Sequence, residues 1–332
     1  MTVLPEIQDL AKRMSEDIIG QQEILDHLII GLMVNGNLLI EGLPGLAKTR
    51  AIKALSRHME GTFSRIQFTP DLDRSGIAGR ESLRIIDGKE EYVFEKGPIF
   101  ANLVLGDEIN RAQPRVQNAM LEAMEERQVT VAGVSYKLPD LFMVMATMNP
   151  VEQEGTFPLP EAQMDRFLMH VRVDYPDEES EVNILRLVRG EEKTVEKQKA
   201  PEQRVQPKKI SQETIFAARS EIDEVKVPPA IERYIVDIIF ATRYPHRYSY
   251  ELQSCIRVGA SPRGSLALDR CARAHAWLNG RHEVTIEDVH AVVHNVLRHR
   301  IMISDLAKDD RVTADDIISE IIQMVKKPEL AA

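Results

Sequence analysis

Residues Gly42 to Thr49 read GLPGLAKT and follow the apolar run Leu38 to Ile40. A strand that ends in a small-residue turn, then a lysine and a threonine opening a helix, is the order that cradles a polyphosphate. The turn through Gly42, Leu43, Pro44, Gly45, Leu46 and Ala47 offers backbone N–H groups to phosphate oxygens. The helix that follows aims its positive end at them. Lys48 would reach the β- and γ-phosphates, and the Thr49 hydroxyl would hold a magnesium ion. Ala47 stands where the strict motif has its last glycine, which is tolerable only if that residue keeps a negative φ. A helical pattern from Arg50 to Met59 supplies the right context. A chance Gly/Pro turn is the competing reading.

Asp107 and Glu108 end a second apolar run, Leu103 to Gly106. The first carboxylate can fix the water shell of magnesium, and the second can polarise a water for attack on the γ-phosphate. In isolation the pair would be an ordinary acidic strand end; beside a P-loop it reads as catalytic. Asn149 ends a third apolar strand and can contact the γ-phosphate or the attacking water without adding negative charge, although Asn-Pro is also good turn chemistry. Arg166 belongs at an edge of the sheet, away from the P-loop. It would stabilise transition-state charge only if supplied to another subunit, and a surface ion pair with Asp165 or Glu161 competes with that role. Arg263, in GASPRG, opens a later helix; it either reaches the γ-phosphate or caps that helix at the surface. His290 and His294 have the i,i+4 spacing of zinc ligands but no third ligand, so they read as packing or surface histidines. Trp277 reads as core.

The elements that position these groups alternate strand with helix, which implies an α/β fold with a parallel sheet covered on both faces. In such sheets ligands bind beyond the carboxyl ends of the strands. The P-loop, Asp107–Glu108 and Asn149 all fall there, so they can converge on one nucleotide. Two helices between Ile7 and Val34 precede the first strand. Two hairpins interrupt the alternation, one turning at Asp87–Gly88 and one spanning Gln128 to Lys137. A helix over 177–189 is stopped by Gly190. The charged, proline-interrupted stretch that follows reads as a linker. The chain thus divides into a core over 1–190, a linker over 191–210 and an all-helical domain over 211–332. Two helices of the last domain begin with a capping-box variant, Thr285 with Asp288 and Thr313 with Asp316.

Composition bounds the rest. The 332 residues are 43% hydrophobic and 28% charged, with a net charge of −10. That balance argues against bulk attraction to nucleic acid or anionic lipid. Cys255 and Cys271 have no metal-type spacing and read as free thiols. No signal-peptide pattern or membrane-length apolar run is seen, so a cytoplasmic location is expected.

Taken together, these strings resemble the MoxR family of AAA+ ATPases over nearly the whole chain. GLPGLAKT is similar to its Walker A, in which alanine before the lysine is usual. LVLGDEINRA (103–112) resembles its Walker B, and LEAMEERQVTV and ATMNPVEQEGTFPLPEAQMDRF (146–167) are specific to it. The resemblance aligns Asn149 with sensor 1, Arg166 with the arginine finger and Arg263 with sensor 2. It places Ile19 and Gly20 in the box beside the adenine. LRHR (297–300) is similar to a lid signature. The resemblance implies an AAA+ αβα core with a helical lid, ATP and Mg2+ as ligands, and a homo-hexameric ring whose two hairpins face the pore. It also implies chaperone-like work on a client protein, with a separate von Willebrand factor A-domain partner. One departure is Arg74–Ser75–Gly76, where the family has Pro-Ser-Asp. A nucleic-acid motor and a magnesium-chelatase-like subunit are the alternatives; no basic winged or helix-turn-helix domain supports the first.

Overall fold

The computed structural model describes residues 2–18, 20–42, 48–86, 89–149, 156–197 and 208–328. Ile19, Leu43 to Ala47 and the Asp87–Gly88 turn therefore lie outside the described residues. Helices α1 (Leu4–Asp17) and α2 (Gln22–Met33) lead into β1 (Leu38–Gly42), α3 (Lys48–His58) and β2 (Phe63–Gln67). The short α4 (Arg74–Ala78) precedes the hairpin of β3 (Gly79–Ile86) and β4 (Lys89–Lys96). Then come β5 (Leu103–Asp107), α5 (Pro114–Glu126), the hairpin β6 (Gln128–Val131) and β7 (Val134–Lys137), and β8 (Met143–Met148). α6 (Glu161–Met164), β9 (Met169–Val173) and α7 (Glu178–Lys197) complete the first part.

Five of these strands form one parallel sheet in the order β2-β5-β8-β1-β9. Alternate residues face opposite layers, and the central strands β5, β8 and β1 are buried on both faces. Leu38, Ile40, Leu103, Leu105, Met143 and Met145 pack under α1–α3, whereas Leu39, Val104, Val144 and Ala146 face the layer containing α5. Two-sided burial is why these strands read as continuous apolar runs.

The second part holds α8 (Gln212–Asp223), α9 (Pro229–Arg243), α10 (Tyr250–Cys255), β10 (Ile256–Val258), α11 (Pro262–Leu278), α12 (Ile286–Leu297), β11 (Met302–Ile303), α13 (Asp305–Asp309) and α14 (Ala314–Met324). Its apolar residues are continuous with the layer under α1–α3. Trp277 is buried in that cluster and donates its indole N–H to Glu221 at 3.0 Å.

Two local expectations are corrected. α7 runs through Gly190 to Lys197. A helical glycine costs about 1 kcal/mol relative to alanine, which is a weak stop when the residues beyond it, Glu191 to Lys197, are mostly strong helix formers. The second part is also not wholly helical, since β10 and β11 pair antiparallel with an irregularity between Ile256 and Val258. Stretches of two and three residues are too short to show a strand period. Both capping boxes form. The Nε2 atoms of His290 and His294 are engaged by Tyr234 Oη at 2.8 Å and Ser319 Oγ at 3.0 Å. Both cysteines are free thiols.

One cap carries an additional load. Asp288 is fully buried and accepts from His275 Nδ1 at 2.6 Å, from the Thr285 N–H at 2.8 Å and from both terminal nitrogens of Arg281. Burial pushes its carboxyl up, but His275, Arg281 and Thr285 overcome that and hold it well below the usual carboxylate range. A depressed carboxylate contributes stability above its unfolded pKa, near 3.9, and loses it as pH falls toward the folded value. Asp288→Asn is therefore expected to cost about 2–3 kcal/mol at pH 7, below the usual range for a broken buried pair because Arg281 is partly solvated. Denaturant melts of both proteins should show that gap narrowing below pH 4; a gap independent of pH would contradict the assignment.

Candidate nucleotide site

The carboxyl edge of the sheet gathers the groups singled out in the sequence. β1 reaches that edge at Gly42, where a Cβ would lie 2.8 Å from the Val173 carbonyl oxygen, so the close approach of β9 requires glycine. Lys48 opens α3, is buried, and directs Nζ at the Gly42 carbonyl, at Asn149 Oδ1 (3.2 Å) and at the Met148 carbonyl (3.4 Å). Burial lowers its pKa, a shift opposed by Asp107, Glu108 and Glu41. Gly20 adopts φ +73°, and a Cβ there would meet Ser180 and Pro176. The turn before α2 is thus seated against the start of α7.

Asp107 and Glu108 are organised by Thr147 on the adjacent strand. The Thr147 hydroxyl donates to Asp107 Oδ1 at 2.7 Å and accepts the Glu108 N–H at 3.0 Å. Glu108 itself is left-handed, with φ 57° and ψ 52°. That conformation costs a non-glycine residue about 1 kcal/mol or more and persists where surrounding contacts dictate it. Those contacts are Asn149 Nδ2 on Oε1 at 3.1 Å, and Arg111 Nε at 2.8 Å and Gln67 Nε2 at 3.4 Å on Oε2. Asn149 thus bridges Lys48 through its oxygen and Glu108 through its nitrogen.

Thr49, half-buried on the first turn of α3, and Asp107 on β5 are both hard oxygen donors, and α3 packs on β5. That donor chemistry fits magnesium. Arg65 contacts Asp107 Oδ2 at 2.5 Å.

Arg166 and Arg263 lie elsewhere. Arg166 precedes the first residue of β9, and β9 runs parallel to β1. It therefore stands at the amino edge of the sheet, one strand length from the P-loop edge; five residues of strand span about 16 Å. Its ion pair is with neither neighbouring acid of the sequence but with Glu125, near the end of α5, at 3.0 Å. Arg263 reaches the same Glu125 and comes to 3.8 Å of Asp165. The two arginines are thus brought together with each other and separated from Lys48, Glu108 and Asn149. They line a cavity of about 340 Å³ with Glu125, Arg127, Asp165 and Arg300.

The LRHR string explains how the second domain is fastened here. Arg300 contacts Asp165 Oδ1 at 2.9 Å and donates to the carbonyls of Phe167 (2.6 Å) and Leu168 (3.0 Å). His299 Nε2 meets the Phe167 carbonyl at 3.1 Å, and burial drives its pKa down, so the neutral ring carries its proton on Nε2. Arg298 donates to the His170 carbonyl at 2.8 Å and pairs with Asp315 at 3.0 Å. A second tie starts beside the P-loop. Glu41 lies 2.8 Å from His170 Nε2 and 3.7 Å from Arg172, which in turn pairs with Asp315.

Residues 37–169 match the model of the ATPase family associated with various cellular activities (AAA), and residues 250–321 match the AAA lid domain. The chain is 39% identical over 320 residues to the chaperone MoxR1 of Mycobacterium tuberculosis, covering 95% of this chain and 80% of that one. It is 30% identical to the MoxR protein of Methylorubrum extorquens, over 98% and 97% of the two chains. This chain belongs to the MoxR family of AAA+ ATPases. A solved structure from Cytophaga hutchinsonii superposes with a TM-score of 0.87 at 37% identity, covering 98% of this chain and 96% of that one. In MoxR-family terms, the sheet with its helices is the AAA domain, and the segment from Gln212 onward contains the lid. Among the described residues, no helix is long and apolar enough to cross a membrane.

The sequence did not point to Thr147, Gln67, Arg65, Glu41 or Glu125. Gln67 and Arg65 matter only because β2 pairs with β5, and strand order is not visible in local spacing. Glu125 sits in the LEAMEERQVTV string, but nothing in that string shows that α5 ends beside Arg166.

Proposed function

We propose that this chain hydrolyses ATP in a cytoplasmic homo-hexameric ring and uses the cycle to remodel, assemble or activate a client protein, together with a separate von Willebrand factor A-domain protein. The observation that carries this reading is the separation of the site across the sheet. Lys48, Asp107, Glu108 and Asn149 share the carboxyl edge, while Arg166 and Arg263 share the amino edge. Arginines one strand length from their own P-loop are placed to serve a nucleotide on another copy. A head-to-tail contact that repeats by rotation closes into a ring; the number six is taken from the family. The core, with α7 running on to Lys197, and the lid over 211–332 would move with the nucleotide through the Glu41 and Arg300 ties.

In this scheme the loop from Gly42 to Ala47, with Lys48, binds the triphosphate, and Ile19 and Gly20 flank the adenine. Thr49 and Asp107 would hold Mg2+, which when bound neutralises charge on the phosphate oxygens. Glu108 takes a proton from the attacking water, and Asn149 orients that water. Arg166 and Arg263 of the next subunit stabilise the charge that develops on the phosphoryl group.

Mass measurement in ATP tests the assembly, and rings of six are expected; a monomer under every nucleotide condition would sink the reading. Turnover should be indifferent to single- and double-stranded DNA, since strong stimulation would favour a nucleic-acid motor. A Glu108→Gln protein held in ATP should retain the client and its A-domain partner in pull-downs.

A further inference from the structure

The trans scheme uses Arg166 and Arg263 and leaves the carboxylate between them without a role. Glu125 stands one residue from the end of α5, whose apolar face is buried through Val116, Met120 and Met124. Its Oε2 lies 3.0 Å from Arg166 Nε, and its Oε1 takes a terminal nitrogen of Arg263. One of these arginines is carried by the core and the other by lid helix α11, so a single side chain joins the two domains at this edge. Asp165 supports the same cluster, accepting Ser261 Oγ at 2.9 Å and pairing with Arg300.

We propose that Glu125 is the positioning residue of the trans site: it holds the core and lid arginines as one pair, ready for the γ-phosphate of a neighbouring copy. The proposal rests on the trans reading above. Three features support it. Two guanidinium groups on separate domains repel one another and have many rotamers; a carboxylate shared between them removes both problems. Glu125 meets Arg166 at Nε, and among the described residues the two terminal nitrogens of Arg166 make no hydrogen bond. That leaves the planar fork free for a bidentate phosphate contact. The arginine side chains are 31% and 48% exposed, so an incoming anion can reach them. Finally, three guanidinium groups (Arg166, Arg263, Arg300) face two carboxylates (Glu125, Asp165). The cluster therefore keeps a net positive charge for a phosphate.

ATP turnover by Glu125→Ala, Glu125→Gln and Glu125→Asp tests this. Glu125→Ala and Glu125→Gln are expected to lower kcat at least about tenfold. KM and nucleotide affinity should stay within about twofold, because Lys48 lies at the other edge. Glu125→Gln preserves the shape of the side chain and keeps the test valid if the alanine variant folds poorly. Glu125→Asp, with the charge on a shorter arm, should recover part of the loss. In an Arg263→Ala background the Glu125→Gln loss should shrink, since one of the two groups it holds is gone. Unchanged kcat in both neutral variants, or a multiplicative loss in that background, would overturn the role. If Arg166→Ala and Arg263→Ala are themselves harmless, the trans reading fails instead, and the two failures are thereby distinguished.

Discussion

Glu108→Gln is expected to bind ATP with wild-type affinity and to hydrolyse it about 10²–10⁴-fold more slowly, the range for loss of a general base. Binding should survive because the proposed phosphate contacts, Lys48 and the loop before it, are untouched. Hydrolysis fails because an amide cannot accept the proton of the attacking water. The substitution is nearly isosteric, so Asn149, Gln67 and Arg111 keep a polar neighbour of the same shape. The left-handed backbone at Glu108 should be retained, since the N–H bond to Thr147 is independent of the side chain. Phosphate release measured beside equilibrium nucleotide binding separates the two steps. Normal turnover in this variant would remove Glu108 from the chemistry.

Arg166→Ala should have an effect of similar size with a different signature. An arginine supplied to a phosphoryl group is worth about 10³–10⁵ in rate. Arg263 shares this edge, so a loss of about 10²–10³ is expected. The subunit's own Lys48 site, at the far edge of the sheet, should bind nucleotide as before. Loss of the ion pair with Glu125 should matter little for stability, because exposed pairs contribute about 1 kcal/mol or less and the Arg166 side chain is 31% exposed. A thermal melt close to wild type, together with a large fall in kcat, distinguishes a role in phosphoryl transfer from a structural one.

The sequence exposed the fold through burial on both faces of the sheet. Leu38 to Ile40, Leu103 to Leu105 and Met143 to Ala146 are apolar without alternation because helices cover both sides of each strand. The groups at the carboxyl edge were legible for a related reason: Asp107–Glu108 and Asn149 directly follow such runs, and Lys48 follows one across the glycine-bearing loop. What could not be read is whatever depends on strand order or on the meeting of distant elements. Thr147 organises Asp107 and Glu108 only because β8 pairs with β5. Arg166 finds Glu125 through the path of α5 and not through its sequence neighbours Asp165 and Glu161. Gly190 misled for another reason, since a propensity penalty is not by itself a stop signal. The LRHR string was visible as a signature, but its work, tying the lid to residues 165–170, lies in contacts with backbone carbonyls that no spacing reveals.

The most direct test of hydrolysis shared between copies mixes two inactive proteins. Lys48→Ala subunits should fail to bind the triphosphate but still carry Arg166. Arg166→Ala subunits bind it but lack the finger. Titrating one against the other and following phosphate release should restore activity that neither shows alone, highest near equal proportions. There, Arg166→Ala sites most often face the intact Arg166 of a Lys48→Ala neighbour. Mixed rings that form and remain inactive at every ratio would contradict a site divided between subunits.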